Sequence, residues 1–257
     1  MKKLTEEELN SIKINTRAYY DYQNERIAMD GRLGQKKDGI LKKKTPDRDP
    51  ALLLYLQNRR DEIFEVEASL KKEIEVMICI HPLWIHFLSN VKGCGPVMAA
   101  VIISEFDIHK APMVSNLVSF AGLAPGKDRK VKGKKCSFNQ FLKSKLCGVL
   151  GSGFLQAKSV PYSGYYYDYK LRLENSDVIV TERIRIEDRK GLYKGKKTWD
   201  VKWRDAYLIH RHQAAIRKMI KEFLKDLYVA WRELEGLEIR EPYAEEYLGR
   251  EHHREAA

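Results

Sequence analysis

Apolar residues recur at helical spacing through the first eighty positions. Leu9, Ile12, Ala18, Tyr19, Tyr22 and Ile27 mark one amphipathic segment. Thr5 ahead of Glu6, Glu7 and Glu8 supplies an N-cap with acids in the first turn, and Gly31 and Gly34 end the segment. The Lys-rich stretch Gln35–Pro50 reads as a loop. Asp49 and Pro50 open a second helix, with Leu52, Leu56, Ile63, Val66, Leu70, Ile74 and Met77 on its apolar stripe. Two long helices joined by one loop predict an antiparallel coiled-coil hairpin over residues 1–80. Its seam suits packing on the chain's own core or a homodimer formed through these helices. Pro82 breaks the pattern.

Beyond it, short helical segments alternate with loops. The partial alternation of Val178, Val180, Ile184 and Ile186 predicts a strand or hairpin within Asp177–Ile186. Residues 187–204, basic and carrying Trp199 and Trp203, read as an insertion with a second DNA-facing loop. Asp205–Leu234 reads as a long helix with Ile209, Ile216, Met219, Ile220, Phe223, Leu224, Leu227, Trp231 and Leu234 on one face, closed by Gly236. The predicted fold is therefore mainly α: a coiled-coil hairpin (1–80), a compact helical domain (81–250) with room for a small β insertion, and a polar tail (251–257).

Charge changes the picture. The chain of 257 residues carries 47 Lys+Arg against 36 Asp+Glu, a net charge of +11. An anionic partner is favoured, nucleic acid ahead of an acidic membrane surface. Val97–Ile103, the longest apolar stretch, is far too short to span a bilayer. Met1–Glu6 does not read as a signal peptide. Cys79, Cys94, Cys136 and Cys147 form no Cys-x-x-Cys pair and sit beside apolar residues. A cytoplasmic location with reduced thiols is the expectation.

The most informative local pattern runs from Val91 to Val101. Gly93 and Gly95 allow a tight turn, Pro96 suits a first helical turn, and Ala99 and Ala100 allow close helix packing. Backbone N–H groups at such a helix start can receive a phosphate, and Lys92 adds charge. This layout resembles a helix-hairpin-helix, which grips DNA backbone without reading sequence; the alternative is a helix turn whose glycines serve packing only. A dinucleotide-binding turn is excluded, because Met98 stands where its third glycine belongs. Downstream, Lys127, Arg129, Lys130, Lys132, Lys134, Lys135, Lys143 and Lys145 form a basic segment opposed only by Asp128, suited to further phosphate contacts.

Three runs together carry a family resemblance: Gly93–Ala100, Ser119–Pro125 and Asn139–Leu146. With Ala214, Ala215, Arg217 and Lys218 in the last helix, they resemble the C-terminal half of insertion sequence 110-type transposases. The resemblance implies a transposase domain with a helix-hairpin-helix and a nucleophilic serine. It also implies a coiled-coil linker, an N-terminal RuvC-like domain, and DNA strand exchange guided by an element-encoded RNA. DNA is thus the expected partner and RNA a further candidate.

Two departures matter. A RuvC-like domain has no room here, so its acidic tetrad and two-metal site are not expected. Any divalent metal would need an acidic site from a partner, and no metal ligand set or other cofactor is read in this chain. The family's Ser-Gly after the Leu-Ala-Pro motif is replaced by Gly126-Lys127-Asp128. Ser137 is the nearest serine and a weak nucleophile candidate, with no paired base in the pattern. Its better reading is the cap of a helix Phe138–Leu150. Three functions follow: a DNA-binding transposase-like protein, an active serine-type recombinase subunit, or a non-catalytic helical scaffold. Tyr162, Tyr165, Tyr166, Tyr167 and Tyr169 suit core packing, with base stacking as the alternative.

Overall fold

Thr5 and Asp49 start the two longest N-terminal helices in the computed structural model, which describes residues 4–34, 49–126, 133, 135–187 and 193–240. Thr5 Oγ1 accepts from Glu8 N at 3.1 Å, while Thr5 N donates to Glu8 Oε2 at 2.7 Å. This reciprocal box opens α1 (Glu6–Leu33), and Gly34 closes it in the left-handed region, at φ 75°. Gly31, expected to end the helix, lies inside it. Asp49 Oδ1 accepts from Ala51 N at 3.0 Å and Pro50 occupies the first position of α2 (Pro50–Ile78). The described residues divide into two units, one of residues 1–90 and 94–107, the other of residues 91–93 and 108–257.

In the first unit α1 and α2 run antiparallel. Asn15 bonds Glu73, Gln23 and Arg26 bond Glu67, and Arg60 bonds Asp30, so partners move backward along α2 as α1 advances. The seam is narrower than the apolar pattern suggested. Ile12, Thr16, Tyr20 and Leu33 are buried on α1, and Ile63, Glu67, Ile74 and Ile78 on α2. Tyr22, Ile27, Leu52 and Val66, expected on the buried stripe, are exposed.

A carboxylate in that seam needs partners, because desolvation disfavours its charge. Glu67 is 6% exposed and receives Arg26 Nε at 2.5 Å and Gln23 Nε2 at 3.1 Å. Arg26 also reaches Asp30 at 3.2 Å, and Asp30 accepts from Arg60 Nε at 3.0 Å. The chain turns after α2 at His81, whose Nδ1 accepts from Leu83 N and caps α3 (Pro82–His86). The core of this unit is α4 (Pro96–Glu105), buried from Val97 through Ile103 and packed by α1 and α2. At its end the buried Glu105 carboxylate takes Arg17 Nη2 at 2.7 Å and Lys13 Nζ at 3.3 Å.

The second unit is organised by its last helix. After α5 (Val114–Phe120), a continuous helical run comprises α6 (Gln140–Ser144), a π-helical segment Lys145–Leu150 and α7 (Gly151–Gln156). Then follow α8 (Tyr162–Glu174), an antiparallel hairpin of β1 (Ile179–Glu187) and β2 (Tyr193–Lys202), and α9 (Leu208–Glu235). The fold is thus mainly helical with one small two-stranded sheet, as expected. The basic stretch read as a loop instead supplies β2, because Trp199 and Val201 pair with Glu182 and Val180 across the sheet.

The aromatic centre of this unit is Phe154, Tyr162 and Phe223. Phe154 stacks on Tyr162 at 4.8 Å, and Phe223 meets both edge-on. α9 buries Ala214, Ala215, Ile216, Met219, Ile220, Phe223, Leu224, Leu227, Tyr228, Trp231 and Arg232. Ile209, expected on this face, is exposed in the first turn. The guanidinium of Arg232 donates to the carbonyls of Ala111 (2.9 Å) and Glu238 (2.5 Å), and Tyr228 Oη donates to the carbonyl of Pro112 at 2.7 Å. Of the tyrosine run, Tyr162 and Tyr166 point inward, bonding Asp226 and His212, while Tyr165 and Tyr167 are exposed. No helix among the described residues is long and apolar enough to cross a membrane. The tail 251–257 lies outside the described residues.

Candidate nucleic-acid interface

The turn ahead of α4 is built from two glycines with different jobs. Gly93 has φ +94°, a conformation that L side chains rarely adopt. A Cβ there would lie 2.8 Å from the carbonyl oxygen of Gly153, and one on Gly153 would lie 2.6 Å from that of Gly93. Two backbones touch where neither residue can carry a side chain. Gly153 was not singled out from sequence; its signal is the pair Gly151 and Gly153 inside an otherwise helical run.

Gly95 is the N-cap of α4, in extended conformation at φ −78° and ψ 168°. Its position has open space: a Cβ would meet nothing among the described residues within 4 Å. Pro96 takes the first helical position, and Ala99 N donates to the carbonyl of Gly95 at 3.0 Å. No side chain caps this helix start. Lys92 is exposed beside it in sequence. Cys94, between the two glycines, is buried, and that burial pushes its thiol up to about 12, so it behaves as a small apolar residue.

The second element is the stem of the basic segment. Gly122 has φ +67°, and the ring of Phe138 lies where its Cβ would stand, at 2.4 Å. Asn139 N donates to the carbonyl of Phe120 at 2.9 Å. The chain that leaves at Leu123 and returns at Phe138 is therefore closed at its base. Lys143 Nζ sits 4.8 Å from the centre of the Phe138 ring and Lys145 Nζ 5.4 Å from that of Phe141. Lys135 is exposed just above the stem. Lys127, Arg129, Lys130, Lys132 and Lys134 lie outside the described residues.

Ser137 does not cap the following helix. Asn139 does, its Oδ1 accepting from Leu142 N at 3.0 Å; a side-chain amide at that position reaches the third helical N–H, which a residue two places earlier cannot. Ser137 itself is exposed at the bend before α6. Further along, burial pushes the Cys147 thiol up, while Lys143 and Arg217 pull it back. Among the described residues no cluster of three or more histidine, cysteine or carboxylate side chains could hold a metal ion.

No curated protein and no solved structure matches the chain. Residues 85–148, which include the glycine turn, the Gly122–Phe138 stem and the basic segment between, match the model of the transposase family described as IS116/IS110/IS902, the family that the sequence motifs resemble.

Proposed function

We propose that this chain is a DNA-binding protein of transposase type that holds the sugar-phosphate backbone through two elements. One is the turn Lys92, Gly93, Gly95 and Pro96, used as a helix-hairpin-helix. The other is the basic segment, with Lys127, Arg129, Lys130, Lys132, Lys134 and Lys135. The observation that carries the reading is the family match, because its 64-residue span, 85–148, holds both elements and nothing of α1 or α2. The net charge of +11 and the uncapped, unobstructed start of α4 support it.

The two glycines make the test specific. A Cβ at Gly95 meets nothing among the described residues within 4 Å, so Gly95→Val places its side chain in the space that a phosphate would occupy. Gly93→Ala adds a Cβ against the Gly153 backbone at positive φ, so it lowers stability. Binding of duplex DNA should weaken steeply with salt, each phosphate contact adding about 0.9 to the slope of log affinity against log salt. Gly95→Val should keep the parental melting temperature and lose most of the affinity. A Gly95→Val protein that binds as the parent does would remove the turn from the interface. A parent that binds no duplex at low salt would remove DNA binding itself.

A further inference from the structure

The most unusual side chain of the second unit is Glu182. It stands in the middle of β1, in phase with Val178, Val180, Ile184 and Ile186, and is 1% exposed. Its carboxylate is committed to the chain that enters α9. Oε1 accepts from Tyr207 N at 3.0 Å, and Oε2 faces His210 Nδ1. A buried acid is costly unless it is paired and hydrogen-bonded, and here the carboxylate holds one ring, that of His210, and the backbone that carries a second, Tyr207. Trp199, paired with Glu182 across the sheet, lies 6.0 Å from Tyr207, which lies 6.1 Å from His210. Each ring is nearly perpendicular to the next, at 83° and 86°.

None of these three rings is stacked face to face on another, and Tyr207 is 48% exposed. Rigid, partly exposed aromatic rings offer a planar guest a stacking surface. The charge beside them selects the guest. Lys197 is exposed two residues before Trp199 on β2, hence on the same face of the sheet. Aromatic rings beside a cation are the means by which single-stranded nucleic acid is held: the base stacks and its phosphate meets the charge.

We propose that Trp199, Tyr207 and His210 form a stacking site for an unpaired nucleobase, with Lys197 on the adjoining phosphate and Glu182 as the positioning residue. This rests on the reading that the chain engages nucleic acid, but uses different residues from the turn and the basic segment. The shared ligand chemistry is a flat base on a flexible phosphate strand, which DNA and RNA both provide.

The test measures binding of the full chain to oligothymidylate, oligouridylate and duplex DNA by fluorescence anisotropy. Tyr207→Ala should lose about tenfold in affinity for the single strand, the scale of one stacked base, and change duplex binding by less than about twofold. Tyr207→Phe keeps the ring and should bind as the parent does. Glu182→Ala should match Tyr207→Ala, while Glu182→Gln, whose carbonyl still accepts from Tyr207 N, should restore binding. Dependence on Tyr207 for only one of the two single strands would support the site and show which strand it takes. A folded Tyr207→Ala protein with parental single-strand affinity would overturn it. Duplex binding without binding of either single strand would overturn this site alone, whereas a chain that binds none of the three probes would also overturn the function proposed above.

Discussion

Helices α1 and α9 are both 28 residues long and meet the rest of their units in different ways. α9 buries eleven side chains, nine of them neither charged nor tyrosine, in a broad stripe around Phe223. α1 buries four, and the helix it pairs with, α2, also buries four, one of which is Glu67. A broad apolar face specifies its own register, because a slip exposes many residues at once. A narrow seam does not, and there the Glu67–Arg26–Asp30–Arg60 chain of ion pairs supplies the alignment. The difference teaches that equal length and similar charge content conceal two kinds of helix, one held by area and one by specific polar contacts.

The largest effect should come from α9. Phe223→Ala removes a fully buried ring from the Phe154–Tyr162 cluster and should cost about 3–5 kcal/mol in urea denaturation. A cost below about 1 kcal/mol would mean that α9 is not held by area. Glu67→Ala should come next, at about 2–3 kcal/mol, since it takes the nearer carboxylate from the half-buried Arg26 and leaves it Asp30 at 3.2 Å. Replacing the pair together, Arg26→Met with Glu67→Leu, should return stability to within about 1 kcal/mol of the parent. If the single change is silent, Ile63 and Ile74 set the seam and the contrast with α9 collapses.

The smallest effect concerns the thiols of the first unit. Burial raises the folded-state pKa of Cys94 to about 12, above its unfolded value of about 8.5. Its contribution to stability is therefore fully present below the unfolded value and is lost as pH rises through the folded one. In mildly alkaline buffer, iodoacetamide should modify the exposed Cys79 and spare Cys94 until the protein is unfolded. Mass spectrometry of the labelled peptides checks this, and early labelling of Cys94 would show that the turn opens readily.

Elements closed by local chemistry were legible in the sequence. Thr5, Asp49, Pro82 and Gly236 mark boundaries because caps and helix breakers act over three or four residues. α9 was legible because its stripe is wide. The seam of α1 and α2 was misread because apolar residues such as Ile27 and Leu52 face outward while a carboxylate faces inward. Of the candidate interface, the turn at Gly93 and Gly95 was visible as a motif, but its division of labour was not. That division depends on Gly153, sixty residues away in sequence, just as the conformation of Gly122 answers to Phe138. Glu182 left a usable signal, a charged residue in phase with an apolar alternation, and that is the pattern a buried, paired carboxylate makes.

The π-helical segment Lys145–Leu150 has a consequence for how this chain can change length. Leu142, Leu146, Leu150 and Phe154, all fully buried, recur every fourth residue. A four-residue repeat overshoots a 3.6-residue turn and would wind off the core, and the wider π turn takes up the excess. The segment thus stores one residue more than an α-helix needs to cover the same path. Deleting a residue there should let the turn tighten to α geometry with Gly153 still facing Gly93. The same deletion in α9 has no such reserve and would rotate everything beyond it by about 100°. One helix of this domain is therefore an elastic point for insertions and deletions, and the other is a fixed rule against which they are measured.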